Sequence, residues 1–230
     1  MTNMPFELKV VDPAIDFPEL IECEWISFDN PYQSFFRLFG PIIGSGPTAR
    51  EDSLKECTSR QLQWHQSDPT SHWQKVIDTE SGKIVGGALW KVCETNPFEH
   101  DEDHEVYWYP EGGQRDFAAG ALKRFDAPRK KMAPRPQLYL NLIYTHPDYR
   151  RRGVGHMILE WGIKKATEMG VEIWLDATVH GVPVYKKHGF SVVSENSLVP
   201  EPVGEPDEDW KKIEKELGPM TLWPMVRKLD

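Results

Sequence analysis

Between Phe6 and Val11 apolar and polar residues alternate (FELKVV), the period-two pattern of a half-buried strand, and Pro13 closes it. From Asp16 to Phe28 the period changes. Phe17, Leu20, Ile21, Cys23 and Trp25 recur at near-helical spacing and predict an amphipathic helix, stopped by the turn Asp29-Asn30-Pro31. An apolar turn over 35–46 ends in Gly44-Ser45-Gly46, and a second helix is predicted from about Thr48 to Gln66, between Pro47 and Pro69. Two strand-like runs, 73–78 and 83–92, flank Thr79-Glu80-Ser81-Gly82 and read as a hairpin. Gly86-Gly87 in the second run marks a bulge or a close backbone approach.

From about 93 to 137 the periodicity is lost, and the stretch reads as an irregular insertion. It holds a charged loop over 99–105, the cluster Tyr107-Trp108-Tyr109-Pro110, a helix over 115–125 and a basic, proline-containing run over 129–136. A connection this long is more often functional than idle. It either lies over a substrate site or forms a surface elaboration with a small core of its own. The pattern then sharpens into a strand over 137–145 (QLYLNLIYT), the turn His146-Pro147-Asp148-Tyr149, and a helix over 153–169 that ends at Gly170. A strand over 171–177, a short helix over 181–187 and a strand over 190–193 follow. A charged helix over 209–217 and a last strand over 220–228 complete the chain. This order predicts one α/β domain over 1–230, a mixed sheet flanked by helices.

Composition narrows the functional classes. A hydrophobic fraction of 39% with 11% aromatic residues supports a packed core in a chain of 230 residues. No segment reaches the roughly 20 apolar residues of a membrane helix, and the start lacks the basic and apolar regions of a secretory signal. The three widely spaced cysteines fit neither a disulfide framework nor a zinc site. A cytoplasmic location is expected, or a nuclear one. The net charge of −9 argues against a nucleic-acid partner. It serves solubility, and it also favours a cationic substrate.

The chemistry concentrates at Arg150-Arg151-Arg152-Gly153-Val154-Gly155, between a strand and a helix. The first turn of a helix exposes N–H groups without intrahelical partners, and the helix dipole makes that end positive. Gly153 and Gly155 leave room for a phosphate to approach the backbone, and the arginines add charge at the rim. A pyrophosphate is the natural guest. Gly155 is followed by His156-Met157 rather than Lys-Ser/Thr, so a nucleoside-triphosphate loop is excluded. The third glycine of a dinucleotide fingerprint is also missing.

Arg150-x-x-Gly153-x-Gly155 resembles the central signature of the GNAT superfamily of acetyl-CoA-dependent N-acetyltransferases. Val184-Tyr185-Lys186-Lys187-His188-Gly189-Phe190 is similar to that family's second signature, in the family's order. The specific resemblance covers about 138–193, and the long insertion resembles that of fungal members. It implies the GNAT fold: a mixed, mostly antiparallel sheet splayed at the coenzyme site. It further implies that backbone N–H groups of Arg151, Arg152, Gly153, Val154, Gly155 and His156 hold the pyrophosphate, with Arg150 at a position the family fills with Gln or Arg. Ile143, Tyr144 and Thr145 would pair with the pantetheine arm. Thr178 stands where many members carry an asparagine contacting it. Tyr185 would protonate the departing thiolate as general acid; its alternative is to pack the last helix against the sheet.

The strand 138–144 lacks the carboxylate that several members use as a base. The remaining candidates are His146, which alternatively belongs to the turn, Asp176, and the acidic residues of the insertion. His100 and His104 with Asp101, Glu102 and Asp103 read as a solvated charge run rather than a metal site. Trp73, Trp90, Trp108 and Tyr109 either line an acceptor pocket or pack the core. The expected function is transfer of acetyl from acetyl-CoA to a small-molecule amine in a ternary complex. It would need no metal and would be carried out by a monomer or homodimer. The alternatives are a non-catalytic acyl-CoA-binding regulator and an acetyltransferase of proteins or peptides.

Overall fold

The computed structural model describes residues 5–99 and 105–229. In chain order it shows β1 (Phe6–Val10), α1 (Phe17–Asp29), a 3-10 turn (Ser34–Leu38), α2 (Ala49–Ser67), β2 (Ser71–Asp78) and β3 (Ile84–Cys93). Next come α3 (Gly113–Met132), β4 (Gln137–Thr145), a second 3-10 turn (Pro147–Tyr149), α4 (Val154–Met169) and β5 (Glu172–Ala177). The chain then runs through α5 (Val182–Lys187), β6 (Ser191–Val192), β7 (Asn196–Ser197), α6 (Glu208–Leu217) and β8 (Thr221–Arg227). The strands form one sheet in the order β1-β2-β3-β4-β5-β8-β6, with β7 also on β8. Only the β4–β5 pair is parallel; the rest are antiparallel.

Alternate residues of each strand feed opposite faces. Leu138 and Leu140 of β4 and Ile173 and Leu175 of β5 pack with Val154, Ile158 and Leu159 of α4. Tyr139 and Trp174, between them in sequence, face the other way onto α3 and α6. That same face carries α1 and α2 over Trp73, Ile84 and Tyr144. The result is three layers, with α4 and, through Tyr185, the short α5 on one side. α4 sits close. A Cβ at Gly86 would lie 2.7 Å from a Val154 methyl, and one at Gly162 would lie 2.2 Å from the Trp90 ring.

The reading of 93–137 as irregular is corrected in its second half, where α3 forms a single helix of 20 residues. The predicted segment 115–125 is only its middle. Pro128 lies inside this helix, where a proline removes one helical N–H and normally ends the run. Here the carbonyl four residues earlier, on Arg124, accepts from the Asn196 side-chain amide at 2.8 Å. α3 then packs against α6, where Phe117 meets the Trp210 ring edge-on at 5.2 Å. The insertion therefore has apolar partners of its own, continuous with the core of the sheet.

Two irregularities in β4 shape the site. Leu89 pairs with Leu142 while Trp90 pairs with Leu140, so Asn141 is an extra residue that bulges the strand. On the other side β4 pairs with β5 only from Gln137 to Leu140. Beyond that point the two parallel strands diverge, and Asn141–Thr145 have no strand partner on the β5 side. This is the predicted splay.

Candidate functional site

The last residues of β4 run into a tight turn. Arg151 has φ 63° and Gly153 has φ 96°, both left-handed, and α4 starts at Val154. This alternation turns successive N–H groups into one concavity at the positive end of a helix dipole, a nest for an anion. A Cβ added at Gly153 or Gly155 would meet no protein atom within 4 Å, so the space outside the turn is open to a ligand. Strain at the non-glycine Arg151 is accepted where its geometry is useful.

The three arginines have three different placements. Arg150 donates from Nε to the Thr145 carbonyl at 3.2 Å and from a terminal nitrogen to the Ser27 carbonyl at 2.8 Å. It braces the turn against the end of α1. Arg151 is exposed at the site. Arg152 turns away and lies over the rings of Phe6 and Tyr149, at 4.9 and 5.1 Å.

A cavity of about 850 Å³ starts at this turn and passes through the β4–β5 fork. It gathers Ile143, Tyr144, Thr145, Arg150, Arg151, Gly153, Val154, Gly155, His156, Thr178 and Tyr185, and leaves out His146 and Arg152. The His146 ring accepts the Asp148 N–H at 3.3 Å, and the His146 backbone N–H donates to the Val85 carbonyl at 2.9 Å. The structure thus places this proposed base in the turn, away from the cavity. Thr178 Oγ1 accepts the Gly181 N–H at 3.3 Å and shapes the entry to α5. Tyr185 stands on α5 against Phe190, with ring centroids 5.8 Å apart. Its hydroxyl has no hydrogen-bond partner among the described residues. Burial pushes its pKa above the ordinary tyrosine value, so it holds its proton.

Asp176 also reaches the cavity, but it is engaged. Tyr139 donates its hydroxyl to Asp176 at 3.0 Å, and Arg129 of α3 lies 3.4 Å from the same carboxylate oxygen. The Arg129 guanidinium covers the Tyr139 ring at 3.5 Å and bonds Asp126 at 2.5 Å. Burial raises the Asp176 pKa, and Arg129 and Tyr139 oppose that rise. The cluster fastens the insertion to β4 and β5.

The residue that sequence reasoning missed is Glu24. It stands on α1 at 1% exposure, lines the cavity, and accepts the Gln61 side-chain amide at 3.0 Å. Burial pushes its pKa up to about 8, against the Gln61 bond and the nearby Arg60 charge. A signal was available: Phe17, Leu20, Ile21, Glu24 and Phe28 share one helical stripe, and a lone carboxyl on an apolar stripe asks for a role.

The aromatic walls also come from other positions than those singled out. Trp73, Trp90 and Tyr109 are core residues, and Trp108 meets Trp64 edge-to-face with Arg60 over its ring. The cavity is instead walled by Phe28, Phe35, Phe36, Phe39, Trp64 and Phe125. Residues 100–104, with both histidines of the charged loop, lie outside the described residues. Among the described residues, His156, Glu160 and His188 bring donor atoms within 4.8 Å of one another at the cradle rim. They are exposed to solvent apart from half-buried His188.

This arrangement, an anion nest beside a forked parallel strand pair, has relatives. Residues 32–190 match the acetyltransferase (GNAT) family, and the chain belongs to that family. It is 31% identical over 84 residues to an acetyltransferase of Stachybotrys chartarum, an alignment covering 35% of this chain and 36% of that protein. The chain thus spans little more than a third of that curated relative. Among solved structures, a Drosophila melanogaster polyamine N-acetyltransferase that forms N-acetylagmatine superposes with a TM-score of 0.64 at 12% identity. That superposition covers 97% of this chain and 100% of the other. The C-terminal condensation domain of Ebony, in complex with β-alanyl-dopamine, gives 0.64 at 12% identity over 99% and 100%. At these identities the likeness is one of fold.

Proposed function

We propose that the chain is an acetyl-CoA-dependent N-acetyltransferase acting on a small amine by direct transfer in a ternary complex. The observation that carries this reading is a single cavity joining the anion nest, the open edge of β4, a buried carboxyl and a partnerless tyrosine hydroxyl. Acetyl-CoA supplies the activated acyl group when bound. The open space outside Gly153 and Gly155 fits its pyrophosphate, and the unpaired side of Asn141–Thr145 fits an extended amide-bearing arm.

The chain's own groups then have defined tasks. An N–H on the free edge of β4 holds the carbonyl oxygen as charge develops there. Glu24, with a pKa near working pH, takes the proton of the attacking amine, which must be neutral to react. Tyr185 keeps its proton until the thiolate departs and then donates it. The absent strand carboxylate was the ground for a non-catalytic reading, and Glu24 fills that gap. The test is thiol release from acetyl-CoA with a panel of amines, for the native protein, Glu24→Gln and Tyr185→Phe. Coenzyme binding with no turnover of any amine would reject the reading.

A further inference from the structure

The two ends of the cavity differ in chemistry. The coenzyme end is backbone and arginine. The end beyond the Asn141 bulge is walled by Phe28, Phe35, Phe39, Trp64 and Phe125, with Glu24 between them. The other carboxylate in the cavity, Asp176, is already held by Arg129 and Tyr139. The remaining polar side chains on this wall, Gln33, Gln61 and Asn141, are neutral amides. No arginine or lysine lines this end; the lining cations Arg150, Arg151 and Lys187 belong to the cradle and to α5.

The geometry points to an acceptor of one chemical class: a primary amine on an aromatic or similarly broad apolar body, carrying a single positive charge. This inference rests on the transferase reading above and names its acceptor. Glu24 is one partner for one ammonium. A second ammonium, as in a polyamine, would be buried against phenylalanine rings with no counter-charge, at a large desolvation cost. A free amino acid would bring a carboxylate beside Glu24, and Arg60, the cation over the Trp64 ring, is already held by Glu56 and the Phe39 carbonyl. Flat aromatic walls reward a ring by area and by edge-to-face contact. The Phe28–Phe35 pair, at 5.6 Å and 87°, already shows that geometry.

The experiment compares 2-phenylethylamine, spermidine and a lysine-containing peptide as acceptors, and separately measures their binding to the coenzyme-loaded protein by calorimetry. The expected result is a kcat/KM for 2-phenylethylamine at least about 100-fold above spermidine, equivalent to about 2.7 kcal/mol. Phe35→Glu adds a second carboxylate to the wall. It should raise kcat/KM for spermidine at least tenfold while lowering that for 2-phenylethylamine, a gain that misfolding cannot mimic. Turnover of spermidine or the peptide at equal or greater efficiency overturns the inference and leaves the transferase reading standing. Binding of 2-phenylethylamine without turnover of any amine overturns the transferase reading and supports the assignment of the wall. Failure of 2-phenylethylamine to bind the loaded protein overturns the inference.

Discussion

Replacing Glu24 by glutamine separates charge from shape at the buried carboxyl. The glutamine keeps an oxygen to accept from Gln61 and has no proton to lose. Placing the native carboxyl at about 8 instead of its ordinary 4.5 makes its ionisation about 5 kcal/mol costlier in the fold than in the unfolded chain, at about 1.36 kcal/mol per pKa unit. A carboxyl raised in the folded state contributes its full stability below the unfolded pKa and loses it as pH rises through the folded one. The contribution is complete below pH 4.5 and nearly gone by about pH 8. Urea unfolding of both proteins at pH 5.0 and pH 8.5 should show the native protein losing about 4 kcal/mol relative to the variant. In thermal melts this is roughly 8–16 °C for a chain of this size. The native kcat/KM should also rise with pH towards a plateau above about 8, a limb that Glu24→Gln lacks. Parallel stability curves would mean that Glu24 is charged throughout, and would remove both its raised pKa and the argument for its role as a base.

Gly155→Ala should leave the melting temperature nearly unchanged, because the added Cβ meets no protein atom within 4 Å, and should weaken acetyl-CoA binding by at least about tenfold in calorimetry. A drop in stability with intact binding would contradict the open cradle. Tyr185→Phe should lower kcat by about 100-fold while coenzyme affinity stays within about twofold, as expected for loss of a general acid; stopped-flow thiol release measures it. Arg129→Met should destabilise the fold by about 3–5 kcal/mol in urea titration, because Asp176 is left buried without its cation. In the same variant, Asp176→Asn should recover part of the loss.

Legibility in the sequence followed how local each signal was. The cradle was readable because six adjacent residues encode it, and α5 because Tyr185 and Gly189-Phe190 lie within one short turn. Period-two and helical patterns marked every strand of the sheet except the two-residue β7 to within a few residues. Glu24 was hidden because its significance depends on Gln61, 37 residues away, and on a cavity that only the sheet fork creates. The full length of α3 was hidden for a similar reason: the compensation for Pro128 comes from Asn196, across the chain. His146 follows β4 directly in sequence, but its ring accepts the Asp148 N–H within the turn and does not line the cavity. The aromatic wall was missed because tryptophans drew attention, while the chain uses the phenylalanines of a 3-10 turn that has no strong periodicity of its own.

The fork between β4 and β5 divides responsibility for change. In the function proposed above, recognition on one side of it is made by main-chain groups whose direction depends on torsion angles, so almost any side chain that permits the turn preserves the donor. On the other side, recognition is made by ring faces on α1, α2, the 3-10 turn and α3, each replaceable without touching the sheet. Under that proposal, drift in the second set explores new acceptors while the first keeps coenzyme recognition constant. The Arg129–Asp176 bond shows where that freedom ends, since Phe125 moves only with a helix that is anchored to the fork itself.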